Sequence, residues 1–271
     1  MNRQITQKIG FLGVGNMGTA ILEGLLKNKL AIPSRIRIYD IDKEKTARLA
    51  NKWGVQRDFS SASLVPQTDV ILLAVKPQDL SQIGSGLALN LQNKSYAVIS
   101  ILAGTPIAAL KKFVGKRARI VRAMPNLCAK VGEAVTVLTS SDPKALKLAG
   151  RIFSGCGKTL ELSEKYFDLV TAVSGSGPAY FFYLMELMTK FGKDQGLDEE
   201  DARNLAIQTT VGAGRLAQAS EFSPEELRKM VTSKGGTTEA ALKVLEERKF
   251  GHIFHEALQA ALRRAGELSR K

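Results

Sequence analysis

The sequence has 271 residues, 44% hydrophobic and 24% charged, with a formal net charge of +13. That length has room for one large domain or two ordinary ones, and the composition excludes a disordered chain or a membrane-embedded one. Two cysteines without metal-ligand spacing, no uninterrupted apolar run of membrane length and no charged-then-apolar leader lead us to expect a cytoplasmic protein with no metal and no membrane partner.

The first predicted strand is the apolar run Ile9 to Leu12, which leads into Gly13-x-Gly15-x-x-Gly18 and a helix-like segment from Thr19 to Lys27. Each glycine has a physical role in a strand–turn–helix unit. Gly13 permits the tight turn, Gly15 lets backbone approach a pyrophosphate, and Gly18 lets the helix pack on its strand. The helix start then offers unpaired N–H groups and a partial positive charge to phosphates. Arg35 to Tyr39 reads as a second strand, and Asp40 falls at its end, 22 residues after Gly18. An acid there holds an adenosine ribose in a Rossmann unit, so residues 8–40 read as a dinucleotide-binding βαβ unit.

Further along, Lys43 to Trp53 has helical spacing, and Thr68 to Val75 is an apolar run suited to a strand buried on both faces. Pro77 closes it, since proline cannot extend a central strand. Tyr96 to Leu102 reads as another buried strand, and Thr105-Pro106 opens a short helix. Ala118 to Met124 and Ala134 to Leu138 read as strands, Asp142-Pro143 starts a helix, and Lys158 to Leu162 is the last strand. Alternating strands and helices imply a mostly parallel, doubly wound α/β sheet over residues 1–162.

Between Leu80 and Gly132 there is no Asp or Glu, while eight Lys and Arg residues, Lys130 among them, make that stretch basic. Such a field steers anionic ligands, though a solvated basic face accounts for the individual lysines equally well. No nucleic-acid motif or aromatic platform accompanies the charge, so no nucleic-acid partner is expected.

From residue 163 to 271 the pattern is helical, and we expect a smaller all-α domain. Pro178 to Gln195 is apolar nearly all round and is expected to be deeply buried. Asp198 to Ala219 is rich in Ala and Gly. The last segment places Phe254, Leu258, Ala261, Leu262, Ala265 and Leu268 on one face, either as intrachain core or as a dimer interface. Two Ser/Thr-Gly turns, Ser174–Pro178 with Ser176 and Thr232–Thr238, each feed a predicted helix. Ordinary capping explains either alone; together they suggest a pocket for a small carboxylate.

A dinucleotide fold of this kind most often serves hydride transfer. Oxidising an alcohol needs a positioned base, yet the only histidines are His252 and His255, on the last helix. β-Hydroxyacid dehydrogenases carry a lysine and an asparagine after a comparable turn, where this chain has Phe181 and Met185. A protonated imine makes smaller demands, because it is already electrophilic.

The stretches Ile9–Gly18, Ala74-Val-Lys-Pro77, Arg122-Ala-Met-Pro-Asn126, Ser174-Gly-Ser-Gly-Pro-Ala-Tyr180 and Thr232–Thr238 resemble, in order and over almost the whole chain, the successive motifs of the pyrroline-5-carboxylate reductase family. The resemblance implies NADPH- or NADH-dependent reduction of 1-pyrroline-5-carboxylate to L-proline. It also implies a homodimer of intertwined helical domains, sometimes assembled into a decamer. Matched onto the motifs, Gly13, Gly15, Asn16, Met17, Gly18 and Asp40 would bind the cofactor, with Ala74, Val75, Lys76 and Pro77 along the nicotinamide. Asn126, Ser176, Ser233, Gly236 and Thr237 would bind the substrate. Thr238 would hydrogen-bond the ring nitrogen, with Glu221 a second polar candidate for the chemistry. The chain departs from the family pattern at Leu127-Cys128 and at Lys234, where Thr-Pro and proline are usual. Two other readings are a β-hydroxyacid-type dehydrogenase with Lys234 as base and a dinucleotide-sensing protein without turnover.

Overall fold

The computed structural model describes residues 4–76, 79–80, 96–115 and 117–270. Eight strands form one sheet: β1 Ile9–Leu12, β2 Ile36–Tyr39, β3 Gln56–Arg57, β4 Val70–Leu73, β5 Ala97–Ser100, β6 Arg119–Met124, β7 Ala134–Thr139 and β8 Gly157–Glu161. They lie in the order β3-β2-β1-β4-β5-β6-β7-β8. Every neighbouring pair is parallel except β6 with β7. The short link from Met124 to Ala134 holds only a 3₁₀ turn, Leu127–Val131, too little chain for a crossover, so β7 returns antiparallel.

The longer helices among the described residues of this part are α1 Asn16–Lys27, α2 Lys43–Trp53, α3 Ile107–Val114 and α4 Pro143–Phe153. Their ends follow from local chemistry. Asp42 accepts from the Lys45 N–H at 2.9 Å and Asp142 from the Ala145 N–H at 2.7 Å, each satisfying a first-turn donor. Gly54 ends α2 in the left-handed conformation, φ 71°. The central strands β1, β4 and β5 are buried at every position. Their alternate residues feed two cores, as period-two side chains must. Val70, Leu72 and Ile99 join Phe11, Ile21 and Phe153 on the face under α1 and α4. Ile71, Leu73 and Val98 join Leu110 and Val114 of α3 on the other. Cys128 and Cys156 are both free, and burial pushes the Cys156 thiol up to about 11.

The chain divides into two compact units, Met1–Gly175 with Ala261–Lys271, and Ser176–Ala260. The sequence-based division after Leu162 follows the last strand instead; the first unit continues through a short helix, Phe167–Val170, and a π turn, Thr171–Gly175. The second unit holds α5 Gly177–Asp194, α6 Glu199–Ala219, α7 Pro224–Met230 and α8 Thr237–Glu247, and α9 Phe250–Ser269 ends in the first unit. Gly192 lets α5 close on α6, since a Cβ there would lie 2.9 Å from the Ala202 Cβ.

One expectation is overturned. The helix predicted to be deeply buried, α5, is exposed in the single chain: Phe181, Phe182, Tyr183 and Phe191 are 56%, 55%, 59% and 67% accessible. Its all-round apolarity reports a covering layer, and one chain does not supply that layer. The last-helix stripe splits instead. Ala265 is buried, whereas Phe254 and Leu268 at the two ends of the stripe are exposed.

Candidate functional site

The glycine-rich turn crosses from β1 to α1 at the carboxyl end of the sheet. The Gly13 N–H donates to the Tyr39 carbonyl at 2.8 Å and the Ala74 N–H to the Leu12 carbonyl at 2.8 Å, binding the ends of β1, β2 and β4 together. Gly13 has φ +94°, and a Cβ there would lie 2.6 Å from the Ala74 carbonyl oxygen. A Cβ on Gly18 would lie 2.5 Å from the Gly13 carbonyl oxygen, so the first turn of α1 rests on the loop backbone. Gly15 is different: a Cβ there would meet nothing within 4 Å. It is the N-cap of α1 and supplies no side-chain cap, so the helix start presents its N–H groups to open space.

Asp40 sits where β2 ends. Its Oδ2 accepts from the Val14 N–H at 2.7 Å and its Oδ1 from the Asp42 N–H at 3.0 Å. The carboxylate therefore pins the turn to β2 while each oxygen keeps lone-pair capacity for hydroxyl donors. The nearby cations are mostly committed. Arg37 makes a two-pronged ion pair with Asp58 at 2.7 and 3.0 Å, and Arg35 donates to the Thr6 carbonyl. Lys43 is exposed.

Ala74, Val75 and Lys76 continue from β4, half-buried, half-buried and exposed in turn, whereas Pro77 lies outside the described residues. Asn126 follows β6 and is 8% accessible. Its Nδ2 donates to the Ser174 carbonyl at 3.3 Å, and its Oδ1 is buried with no hydrogen-bond partner. The Ser174 hydroxyl is buried without a partner as well. The first unit thus brings Gly13, Gly15, Asn16, Met17, Gly18, Asp40, Ala74, Val75 and Lys76 to one end of the sheet. An open glycine turn, an acid at the second strand and an unclaimed buried acceptor fit a dinucleotide.

The remaining candidates belong to the second unit. Ser233, Gly236, Thr237 and Thr238 share one turn. Gly235 takes φ 74° and its N–H donates to Glu239 Oε2 at 2.7 Å; the Gly236 N–H donates to the Ser233 carbonyl at 3.0 Å. Helix α8 starts at Thr237 with Gly236 as N-cap and no side-chain cap. Thr238 is then the second residue of the helix and caps nothing. Lys234 is exposed on the same turn, Ser176 precedes α5 as its N-cap, and Glu221 is exposed between α6 and α7. The functional candidates therefore fall into two groups, one in each unit.

Sequence reasoning passed over two groups with unused polar capacity. In the sequence Ser174 is one residue of a glycine-rich turn, and no signal there marks its hydroxyl as buried and unpaired. Lys130 was counted in the acid-free basic stretch, and its Nζ lies 3.5 Å from the Asn16 Oδ1. Among the described residues, no three His, Cys, Asp or Glu side chains cluster as metal ligands, and no helix is long and apolar enough to cross a membrane.

Comparison with known proteins completes the picture. Residues 164–268 match the family model described as pyrroline-5-carboxylate reductase dimerisation, and residues 8–104 the one described as NADP oxidoreductase, coenzyme F420-dependent. The chain is 39% identical to pyrroline-5-carboxylate reductase of Pseudomonas aeruginosa over 269 residues, covering 97% of each chain. It superposes on a pyrroline-5-carboxylate reductase from Coxiella burnetii with TM-score 0.92 and 37% identity, covering 98% of this chain and 100% of that one. The Plasmodium falciparum pyrroline carboxylate reductase, solved with NADP bound, gives TM-score 0.88 and 29% identity over 98% of this chain and 99% of that one. An open dinucleotide turn, a helical part matched by a reductase dimerisation model, and near-complete coverage of reductases at this identity lead to one conclusion: the chain belongs to the pyrroline-5-carboxylate reductase family.

Proposed function

We propose that the protein reduces the C=N bond of 1-pyrroline-5-carboxylate to give L-proline, the last step of proline biosynthesis, with a reduced nicotinamide dinucleotide as donor. The observation that carries this reading is the 39% identity to a reductase of that activity over 97% of both chains, joined to a turn whose Gly15 face is open. A bound nicotinamide supplies the hydride. The first domain, residues 1–162, binds the dinucleotide; the second, residues 163–271, binds substrate and forms the dimer.

In this scheme Asp40 accepts hydrogen bonds from the adenosine ribose, and the open N–H groups around Gly15, Asn16 and Met17 meet the pyrophosphate. Gly13 and Gly18 shape that turn. Ala74, Val75 and Lys76 line the nicotinamide, and Asn126 offers its unpaired Oδ1 there. Ser176, Ser233, Gly236 and Thr237 hold the substrate carboxylate through hydroxyl and backbone N–H groups. Thr238 hydrogen-bonds the ring nitrogen, and Glu221 is the second polar group at the chemistry. Loss of reduced-nicotinamide absorbance on adding 1-pyrroline-5-carboxylate tests the reading; no loss with either cofactor contradicts it.

NADH is the preferred cofactor in this scheme. Asp40 repels a 2′-phosphate: like charges about 4 Å apart cost on the order of 1 kcal/mol in water and several times that in a shielded cleft. Arg35 and Arg37 are engaged by Thr6 and Asp58, and Lys43, three residues after Asp40, is exposed. We expect kcat/KM for NADH to exceed that for NADPH by about tenfold, and Asp40→Asn to narrow the gap. A wild-type preference for NADPH contradicts this assignment.

Self-association covers the exposed apolar face of α5. Phe181, Phe182 and Phe191, each more than half accessible, are the side chains such an association covers. The dimer, able to assemble further into a decamer, works in the cytoplasm. Light scattering at micromolar concentration is expected to give at least twice the 29.4 kDa of one chain; the single-chain mass contradicts it.

A further inference from the structure

We propose that Lys130 is a further cofactor-binding residue, a cation that holds the pyrophosphate of the dinucleotide beside the first turn of α1. The proposal rests on reading Gly13–Gly18 as the dinucleotide turn. That turn has donors but no cation of its own: between Lys8 and Lys27 the sequence contains no Lys or Arg. Backbone N–H groups and the helix dipole favour an anion there, yet a pyrophosphate is charged on both phosphates, and a fixed ammonium adds what partial charges do not.

The 3₁₀ turn Leu127–Val131 delivers that ammonium from a different element. Its backbone is well anchored. Ala129 is 3% accessible within the main core, the Glu133 N–H donates to the Cys128 carbonyl at 3.1 Å, and the Gly132 N–H donates to the Ala129 carbonyl at 3.3 Å. Gly132 then leaves in the left-handed conformation, φ 77°. From this base the Lys130 side chain reaches Asn16, the first residue of α1, with Nζ 3.5 Å from Oδ1. That is a long contact to a neutral acceptor. Among the described residues, no carboxylate forms an ion pair with Lys130. The ammonium therefore stands at the open helix start with donors to spare.

Two nearby charged groups are accounted for. Glu23 and Lys27 line the groove that also holds Lys130, but Glu23 is already bound by Lys52 at 2.7 Å, Trp53 at 3.2 Å and Lys27 at 3.5 Å. Lys27 lies 11 residues beyond Asn16 on α1, about 16 Å along the axis at 1.5 Å per residue. The connection carrying Lys130 starts at Asn126, whose buried Oδ1 also lacks a partner. One short link thus holds two polar groups with unused capacity.

Because the pyrophosphate is common to both cofactors, Lys130 strengthens NADH and NADPH binding alike, unlike Asp40, which acts on their ratio. The test is the Kd of NADH and of NADPH by nicotinamide fluorescence, at low and high salt, for wild type, Lys130→Gln, Lys130→Arg and Lys27→Gln. We expect Lys130→Gln to weaken both cofactors about tenfold at low salt, with a smaller difference at high salt. Lys130→Arg keeps most of the affinity, Lys27→Gln binds as wild type, and all four melt together. Lys130→Gln binding both cofactors within twofold of wild type overturns the proposal, and so does a loss confined to NADPH, which assigns the lysine to the 2′-phosphate. Wild type binding neither cofactor overturns the dinucleotide reading itself.

Discussion

Thr238→Ala is expected to lower kcat by about one to two decades while leaving the melting temperature unchanged, and Ser233→Ala to raise KM with little effect on kcat. The ring nitrogen changes during reduction from a planar iminium to a pyramidal amine, so a hydroxyl bonded to it distinguishes the two states. Losing one such hydrogen bond costs about 1–3 kcal/mol. A carboxylate held by Ser233 and backbone N–H groups keeps its charge and shape as the hydride arrives, and contacts that do not change lower KM without raising kcat. The competing role for Thr238 is helix capping. Gly236 holds the N-cap of α8, and Thr238 is its second residue with no side-chain cap bond. Steady-state kinetics and melting of both variants decide between the roles. Early melting of Thr238→Ala with kcat intact contradicts the catalytic assignment.

Two alanine substitutions in the glycine turn should both weaken cofactor binding but differ in stability. Gly13→Ala puts a Cβ at φ +94°, 2.6 Å from the Ala74 oxygen, 2.7 Å from its carbonyl carbon and 2.8 Å from the Val75 nitrogen. All three are backbone atoms at the end of a central strand, so the chain must shift. We expect a stability loss of about 2–4 kcal/mol together with weaker cofactor binding, since Ala74 and Val75 line the proposed nicotinamide position. Gly15→Ala meets nothing within 4 Å, and its φ of −60° suits alanine. That variant should melt like wild type yet bind NADH at least tenfold more weakly, because its methyl group occupies the side from which the pyrophosphate approaches. Thermal melts and NADH titration read both effects. Wild-type affinity in Gly15→Ala removes the pyrophosphate from that face.

The sequence made the sheet legible where local chemistry decides it. The apolar runs at β1, β4 and β5, the glycine turn and the Asp142 start each announce themselves within a few residues. Two-residue β3 carries no periodicity to read, and the reversal at β7 depends on the length of a connection more than on its residues. Helix α5 is illegible for a deeper reason. An apolar surface looks the same in sequence whether its own chain or a second copy covers it. At the site, residue types and spacing mark Gly13 and Asp40 as candidates, whereas Asn126 enters only through the family motif. Tertiary placement alone shows that Asp40 is tied to the Val14 and Asp42 N–H groups, that Asp58 holds Arg37, and that Lys130 reaches Asn16. Apart from the local Asp42 to Asp40 bond, those contacts join residues far apart in the chain, beyond the range of any local pattern.

The most direct measurement of the central claim is product stoichiometry. The wild-type protein is incubated with 1-pyrroline-5-carboxylate and NADH, and L-proline and oxidised dinucleotide are quantified together by chromatography. The account predicts one L-proline formed for each dinucleotide oxidised, with the rate lost when substrate is omitted. Dinucleotide bound without any proline, or oxidation of a hydroxy acid with no activity on the cyclic imine, would contradict it.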